Sequence, residues 1–417
     1  MTIPTGHSLT RRTALLGAGA AGVALAAPAV RAQTTPMRIG FLTVKTGPLA
    51  AGGIQMEQGL TLYLKDRGNK LAGRAVELFT ADTGGSPATA RTKTQELVER
   101  NNVSVIIGPL AAFEALAIDD YTKEKQIPVL SVAAAEDITQ RHPDPWFVRC
   151  TSSSAQCAHA MADYAAKDLK YKRMATIGDD IAYGQEQNAG FQQVFEQAGG
   201  KVVQKLWPPL NAPDYGTFVA QLASDLDGIF MSFAGSNGFR FFKQYKEYGG
   251  TIPILGGMTA VDEAVLQQMG DDALGMISAN WYSAQLDNPL NKVFVAGMVR
   301  DYKVDPGYYA AGTYVTAAVL EAALAKIDGK IEDRAALMKA LREDTVETAR
   351  GPVRFDQFGN VVGNVYIRKV ARGSGKLVNT VIKTYPDVSQ FWTFDQAAFL
   401  KQPVYSRDYP PARNLSN

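Results

Sequence analysis

From Met37 onward, short unbroken apolar runs alternate with amphipathic stretches of about 12 to 18 residues, and few folds accept that alternation. A run such as Val105-Ile106-Ile107 has no polar face, so both of its sides must be covered. A parallel sheet sandwiched between helices does this, each helix returning the chain for the next strand. Strands are therefore expected at Arg38–Val44, Ala75–Ala81, Val103–Ile107 and Ile127–Val132. Helices fall between them near Gly53–Arg67, Ser86–Arg100 and Phe113–Lys125, the second opening on Ser86 as N-cap with Pro87 at the first helical position.

A second series follows at Met174–Gly178, Val202–Leu206, Gly228–Phe233 and Ile252–Leu255, and it echoes the first. Val105-Ile106-Ile107 precedes Ile127-Pro128-Val129-Leu130 by 22 residues, and Ile229-Phe230-Met231 precedes Ile252-Pro253-Ile254-Leu255 by 23. Each proline stands at a strand start, where its missing N–H costs least. Past Trp281 helices are expected near Pro289–Tyr302, Gly307–Lys326 and Arg334–Leu341. Gly351–Phe355, a turn at Asp356–Asn360 and Asn364–Val370 read as an antiparallel pair. The spacing predicts two open α/β lobes in tandem.

The N-terminus carries a different message. Arg11-Arg12, a weakly hydrophobic Gly/Ala-rich run and small residues at Val30 and Ala32 fit a twin-arginine export signal spanning residues 1–32, cleaved after Ala32, with no cysteine there to take a lipid. Pro28 and the many small residues make the run a poor membrane span. The whole chain has 43 basic and 41 acidic residues, and removing Arg11, Arg12 and Arg31 leaves 40 against 41. Such a balance offers nothing to hold nucleic acid or an acidic membrane surface. The 385 residues left exceed what one hydrophobic core usually organises. Only Cys150 and Cys157 are present. A bridge between them is open to an exported chain, although a lone buried pair is more often free thiols.

Catalytic constellations are lacking. His142 and His159 have no metal-ligand spacing, and the chain shows neither a Gly-x-Ser-x-Gly elbow nor a Gly-x-x-x-x-Gly-Lys loop. Neither enzymatic activity nor a metal or other cofactor is expected.

Several short motifs, each weak alone, occur in a telling order: Thr46-Gly47-Pro48 after the first strand, Ile106-Ile107-Gly108-Pro109 after the third, Thr139-Gln140-Arg141 before Trp146-Phe147-Val148-Arg149, then Gly178-Asp179-Asp180-Ile181-Ala182-Tyr183-Gly184, and Gly351-Pro352-Val353 with Phe355-Asp356 and Gly359. In this order the chain resembles the periplasmic binding proteins of fold type I, the leucine/isoleucine/valine-binding family of ABC importers. The resemblance implies two doubly wound parallel-sheet lobes joined by a three-crossover hinge, residues 37–150 plus 283–349 forming the N-terminal lobe and 151–282 plus 350–417 the C-terminal one. It further implies a monomer in the periplasm that closes on a small molecule and delivers it to an ABC permease. A freestanding sensor for a membrane kinase is the alternative.

Ligands of open α/β sheets bind beyond the carboxyl ends of the strands. Here those loops are Thr46–Gly53, Gly108–Glu114, Ala133–Asp137, Asp180–Gly184, Ser232–Ser236 and Gly256–Ala260. Amino-acid-binding relatives place hydroxyl residues for the α-carboxylate in the second and third loops and an acid for the ammonium in the sixth. The resemblance puts Ala112, Ala135 and Met258 at those positions, which disfavours an α-amino acid. Gly52 and Ala234 stand where relatives carry aromatic lids, leaving room for a ring. Phe113, Tyr183, Phe233 and Met258 are expected as walls, with Thr46 and Ala134 completing the set. The pattern is similar to relatives that take aromatic acids, branched-chain amino acids or amides being the alternative ligands. Glu114 and Glu136 are candidate acceptors for a ligand hydroxyl. For a carboxylate, the candidates are N–H groups at the helix start after Pro109, helped by Arg149 or Arg240.

Overall fold

A computed structural model of the chain describes residues 35–415. The chain divides into Met1–Thr35 and one compact unit from Pro36 onward, and that unit contains both sheets. The expected export signal lies outside the described residues. None of the described helices is long and apolar enough to cross a membrane.

The first sheet takes its strands from the first series: β1 (Met37–Thr43), β2 (Lys70–Leu71), β3 (Arg74–Asp82), β4 (Val105–Ile107), β5 (Val129–Ser131) and β6 (Phe147–Arg149), in the order β2-β3-β1-β4-β5-β6. All its pairings are parallel except β2 with β3. Helices α1 (Ala50–Lys65), α2 (Pro87–Gln95) and α3 (Ala112–Glu124) connect the strands. Ser86 caps α2 by accepting from the Thr89 N–H at 3.4 Å, with Pro87 behind it, and a π turn at Glu96–Arg100 completes the expected helix.

After α4 (Ser154–Lys167) the second sheet collects β7 (Arg173–Gly178), β8 (Lys201–Leu206), β9 (Gly228–Ser232), β10 (Ile254–Gly256) and β11 (Ile277–Asn280), with α5 (Ala182–Gln197), α6 (Gly216–Gln221), α7 (Asn237–Glu247) and α8 (Glu263–Met269) between them. The chain then returns: α9 (Pro289–Tyr302) and α10 (Tyr308–Lys326) pack on α1, and α11 (Arg334–Glu343) packs on α10. It crosses again to add β12 (Val346–Thr348), β13 (Gly351–Phe355), β14 (Val361–Gly373) and β15 (Lys376–Val388), giving β12-β13-β14-β11-β10-β9-β7-β8 with β15 alongside β14. A short helix, α12 (Gln396–Leu400), lies in the C-terminal tail.

The sequence echo has a structural counterpart. The Ile106 N–H donates to the Pro128 carbonyl and the Ile229 N–H to the Pro253 carbonyl, both at 2.9 Å, so the two prolines open equivalent strands. Two expectations differ in detail. β12 joins the second sheet although the expected boundary places residues through 349 in the first lobe, because Val346–Thr348 pairs with Gly351–Val353. β15 is an additional long strand, joined to β14 by the tight turn at Ser374-Gly375, both in the left-handed region. Cys150 and Cys157 are buried and free, each thiol pushed by burial up to about 12.

Candidate functional site

The loops beyond β1, β4, β5, β7 and β9 converge on a cavity between the two sheets. One wall is Leu49, Leu110, Ala111, Ala112, Val132 and Ala134, and the facing wall is Ile181, Tyr183 and Ala234. Tyr308 and Tyr309, from the first turn of α10, close it. Each lining side chain is apolar or a phenol, so the enclosure carries no charge of its own.

The phenols are neutral and two have committed protons. Burial raises the pKa of Tyr183, Tyr308 and Tyr309, with Tyr308 at about 12. The Thr259 hydroxyl donates to the Phe233 carbonyl at 2.7 Å, so Tyr183 donates to Thr259 across 2.9 Å. Tyr308 donates to the Val132 carbonyl at 3.0 Å. The Tyr309 hydroxyl has no hydrogen-bond partner among the described residues.

Two helix N-termini open onto the cavity from opposite lobes. In α3 the Glu114 carboxylate engages the Ala111 N–H at 3.0 Å, while the N–H groups of Ala112 and Phe113 have no acceptor among the described residues. In α5 the N-cap position is Ile181, which has no side-chain oxygen, so the N–H groups of Ala182, Tyr183 and Gly184 have no acceptor among the described residues. Bare first-turn donors and the helix dipole favour an anion.

Of the sequence-predicted site residues, Ala112, Ala134, Tyr183 and Ala234 line the cavity. Gly52 lies within α1 and borders a smaller neighbouring cavity. The room it leaves is taken by the protein itself, since a Cβ on Gly52 would stand 2.6 Å from the Tyr309 ring. Thr46 is exposed and Phe113 half-buried, both outside the cavity lining. Phe233 points into the second lobe's core against Tyr215 and Phe241. Ala135 turns its carbonyl to the Arg149 guanidinium. Met258 is buried outside the cavity lining, its sulfur accepting from Ser152 at 2.9 Å.

The charged candidates serve the fold. Glu114 holds Thr83 and the α3 start. Glu136 accepts from the Ala155 N–H at 2.7 Å and from Gln140. Arg149 is buried among the Ala133 and Ala135 carbonyls, Thr139 and Asn360. Arg240 binds the Ala212 and Pro213 carbonyls. Sequence reasoning missed Tyr308 and Tyr309 because they follow no strand; a Tyr pair directly after Pro306-Gly307 at a helix start was the available signal.

The sequence pattern of the periplasmic binding proteins matches residues 36–376. Among curated relatives, Leu/Ile/Val-binding protein homolog 6 of Brucella abortus (strain 2308) is 26% identical over 373 residues, covering 87% of this chain and 94% of its own length. An ABC transporter substrate-binding protein from Sphaerobacter thermophilus superposes with a TM-score of 0.79 at 31% identity, covering 85% of this chain and 99% of that one. A solute binding protein of an ABC transporter from Rhodopseudomonas palustris BisB5, in complex with 3,4-dihydroxybenzoic acid, gives 0.81 at 31% identity, with 85% and 98% coverage.

Proposed function

Since the chain belongs to the periplasmic binding protein family, we propose that it captures an aromatic or similarly apolar carboxylate between its lobes and delivers it, chemically unchanged, to the permease of an ABC importer. The observation that carries this reading is the cavity: apolar and phenolic walls, no charged side chain, and helix starts of α3 and α5 with bare N–H groups among the residues that line it. A carboxylate finds donors there without a cationic side chain, and the ring finds Leu110, Val132, Ile181 and the tyrosines. The Tyr309 hydroxyl suits a polar substituent on that ring. The 3,4-dihydroxybenzoate held by the Rhodopseudomonas relative is a molecule of this kind.

An α-amino acid is disfavoured, because its ammonium would be buried without a carboxylate partner. Asp262, beside the smaller cavity, is already bonded to the N–H groups of Ala264 and Tyr308. The test is a thermal-shift screen of residues 33–417 against amino acids, aromatic acids, amides and short fatty acids. A true ligand at about 100 times its Kd stabilises by roughly 2.7 kcal/mol. The expected response is to substituted benzoates or phenylpropanoid acids; a response to amino acids alone overturns the reading.

A further inference from the structure

Asp262 lies in the loop between β10 and α8 and is buried. Its two carboxylate oxygens serve two different helices. One accepts from the Ala264 N–H at 3.1 Å and so caps α8. The other accepts from the Tyr308 N–H at 2.6 Å, in the first turn of α10. α8 packs mainly on α7 and β15 with the second sheet and also touches α1, whereas α10 packs on α1 beside the first, so one carboxylate caps helices of both lobes. Capping of this kind satisfies first-turn donors and places a negative charge at the positive end of each helix dipole.

The chain is shaped around this contact. A Cβ on Gly307 would stand 2.3 Å from the Asp262 carboxylate, so a glycine at the start of α10 is what lets the acid approach. The turn that Asp262 grips also carries Tyr308 and Tyr309, which close the cavity. Asp262 itself is not part of that cavity's lining.

We infer that Asp262 is a positioning residue for ligand capture: it latches α10 to the second lobe in the closed form and thereby sets Tyr308 and Tyr309 in the cavity wall. Opening the cleft parts the carboxylate from the Tyr308 N–H, and water replaces both partners. The latch therefore biases the protein toward closure whatever it encloses. The inference rests on hinge closure, not on the class of ligand proposed above.

The test uses the exported chain without ligand. Cysteines introduced at exposed Lys123 in α3 and Lys243 in α7 carry spin labels, while Cys150 and Cys157 are buried and stay unlabelled. Pulsed dipolar spectroscopy then reads the inter-lobe distance distribution in the wild-type background, in Asp262→Asn and in Asp262→Ala. The wild type is expected to show a closed population. Asp262→Ala is expected to lower the closed-to-open ratio about tenfold, equivalent to about 1.4 kcal/mol. Asp262→Asn, which keeps the size and one acceptor, is expected to fall between them and carries the test if the alanine variant does not fold. Thermal unfolding of the folded variants serves as the control, since a general loss of structure would lower the melting temperature without lengthening a defined distance. A wild type with no closed population, or folded variants with the wild-type distribution, overturns the inference. Because no ligand is present, failure of the aromatic-acid reading leaves this result unaffected.

Discussion

Gly235→Ala separates closure from fold stability. Gly235, in the loop after β9, has φ +56 and meets Pro48 of the other lobe: an added Cβ would stand 2.2 Å from the Pro48 carbonyl oxygen. A normal C–H···O approach is about 3.3 Å or more, so the carbonyl must retreat by roughly 1 Å. That carbonyl accepts from the Ser236 N–H at 3.1 Å and from its hydroxyl at 3.4 Å, and the retreat breaks both bonds. At about 1 kcal/mol net for the first bond and less for the longer second, the closed form loses about 1 to 2 kcal/mol. Affinity should therefore weaken by about 5- to 30-fold. The left-handed backbone costs alanine about 1 to 2 kcal/mol as well, but in the open and closed forms alike. It lowers the melting temperature and cancels from the binding constant. Titration calorimetry with 4-hydroxybenzoate, paired with ligand-free thermal unfolding, reads the two terms apart. A lower melting temperature with unchanged affinity would refute the reasoning, since it would mean that Pro48 and Gly235 do not meet in the liganded form.

Three further outcomes are expected. Ala112→Asp places a carboxylate at the α3 N-terminus facing the ligand's own and should weaken 4-hydroxybenzoate by at least about tenfold, while Ala112→Ser should retain binding; equal affinities in calorimetry would move the carboxylate elsewhere. Tyr183→Ala removes a ring from the cavity wall and should cost about 1.5 to 3 kcal/mol of binding with far less effect on unfolding, and an unaltered Kd would show that the ring does not face the ligand. His159 is buried, and desolvation lowers its pKa to about 3. Tyr405 gives its proton to Gln193, so His159 Nε2 donates to Tyr405 at 3.1 Å, and Nδ1 has no partner among the described residues to receive a second proton's bond. The unfolded imidazole protonates near pH 6.5 and the folded one only near pH 3. Its contribution to stability is therefore complete above about pH 6.5 and falls by about 1.4 kcal/mol per unit below that. Urea unfolding at pH 7 and pH 5 should show the wild type losing about 2 kcal/mol more than His159→Gln, and parallel losses would contradict the assignment.

The central strands were legible because a strand buried on both faces leaves an unbroken apolar run, as in Val105–Ile107 and Gly228–Ser232. Helix starts were legible where a side chain marks them, as Ser86-Pro87 does. β15 was not, since Lys376–Val388 carries lysines and Asp387 within it and takes its pairing from β14. The loops of the site followed from the sheet topology, yet which side chains face inward did not. Gly52 illustrates the reason: absence of a side chain shows that something approaches closely, but only the three-dimensional arrangement shows that Tyr309 from 257 residues later does so. Phe233 and Met258 sit one or two residues past strand ends, where a small rotation of the backbone decides between core and cavity. Asp262 was equally hidden, because its partner is a backbone N–H on a helix of the other lobe.

The most direct test of the ligand assignment is a side-by-side titration calorimetry measurement of 3,4-dihydroxybenzoate, 4-hydroxybenzoate and leucine on the same preparation. A benzoate is expected to bind at least tenfold more tightly than leucine, a difference of about 1.4 kcal/mol or more. Micromolar binding of leucine, with no heat from either benzoate, would contradict the account and show that the cavity supplies an ammonium partner after all.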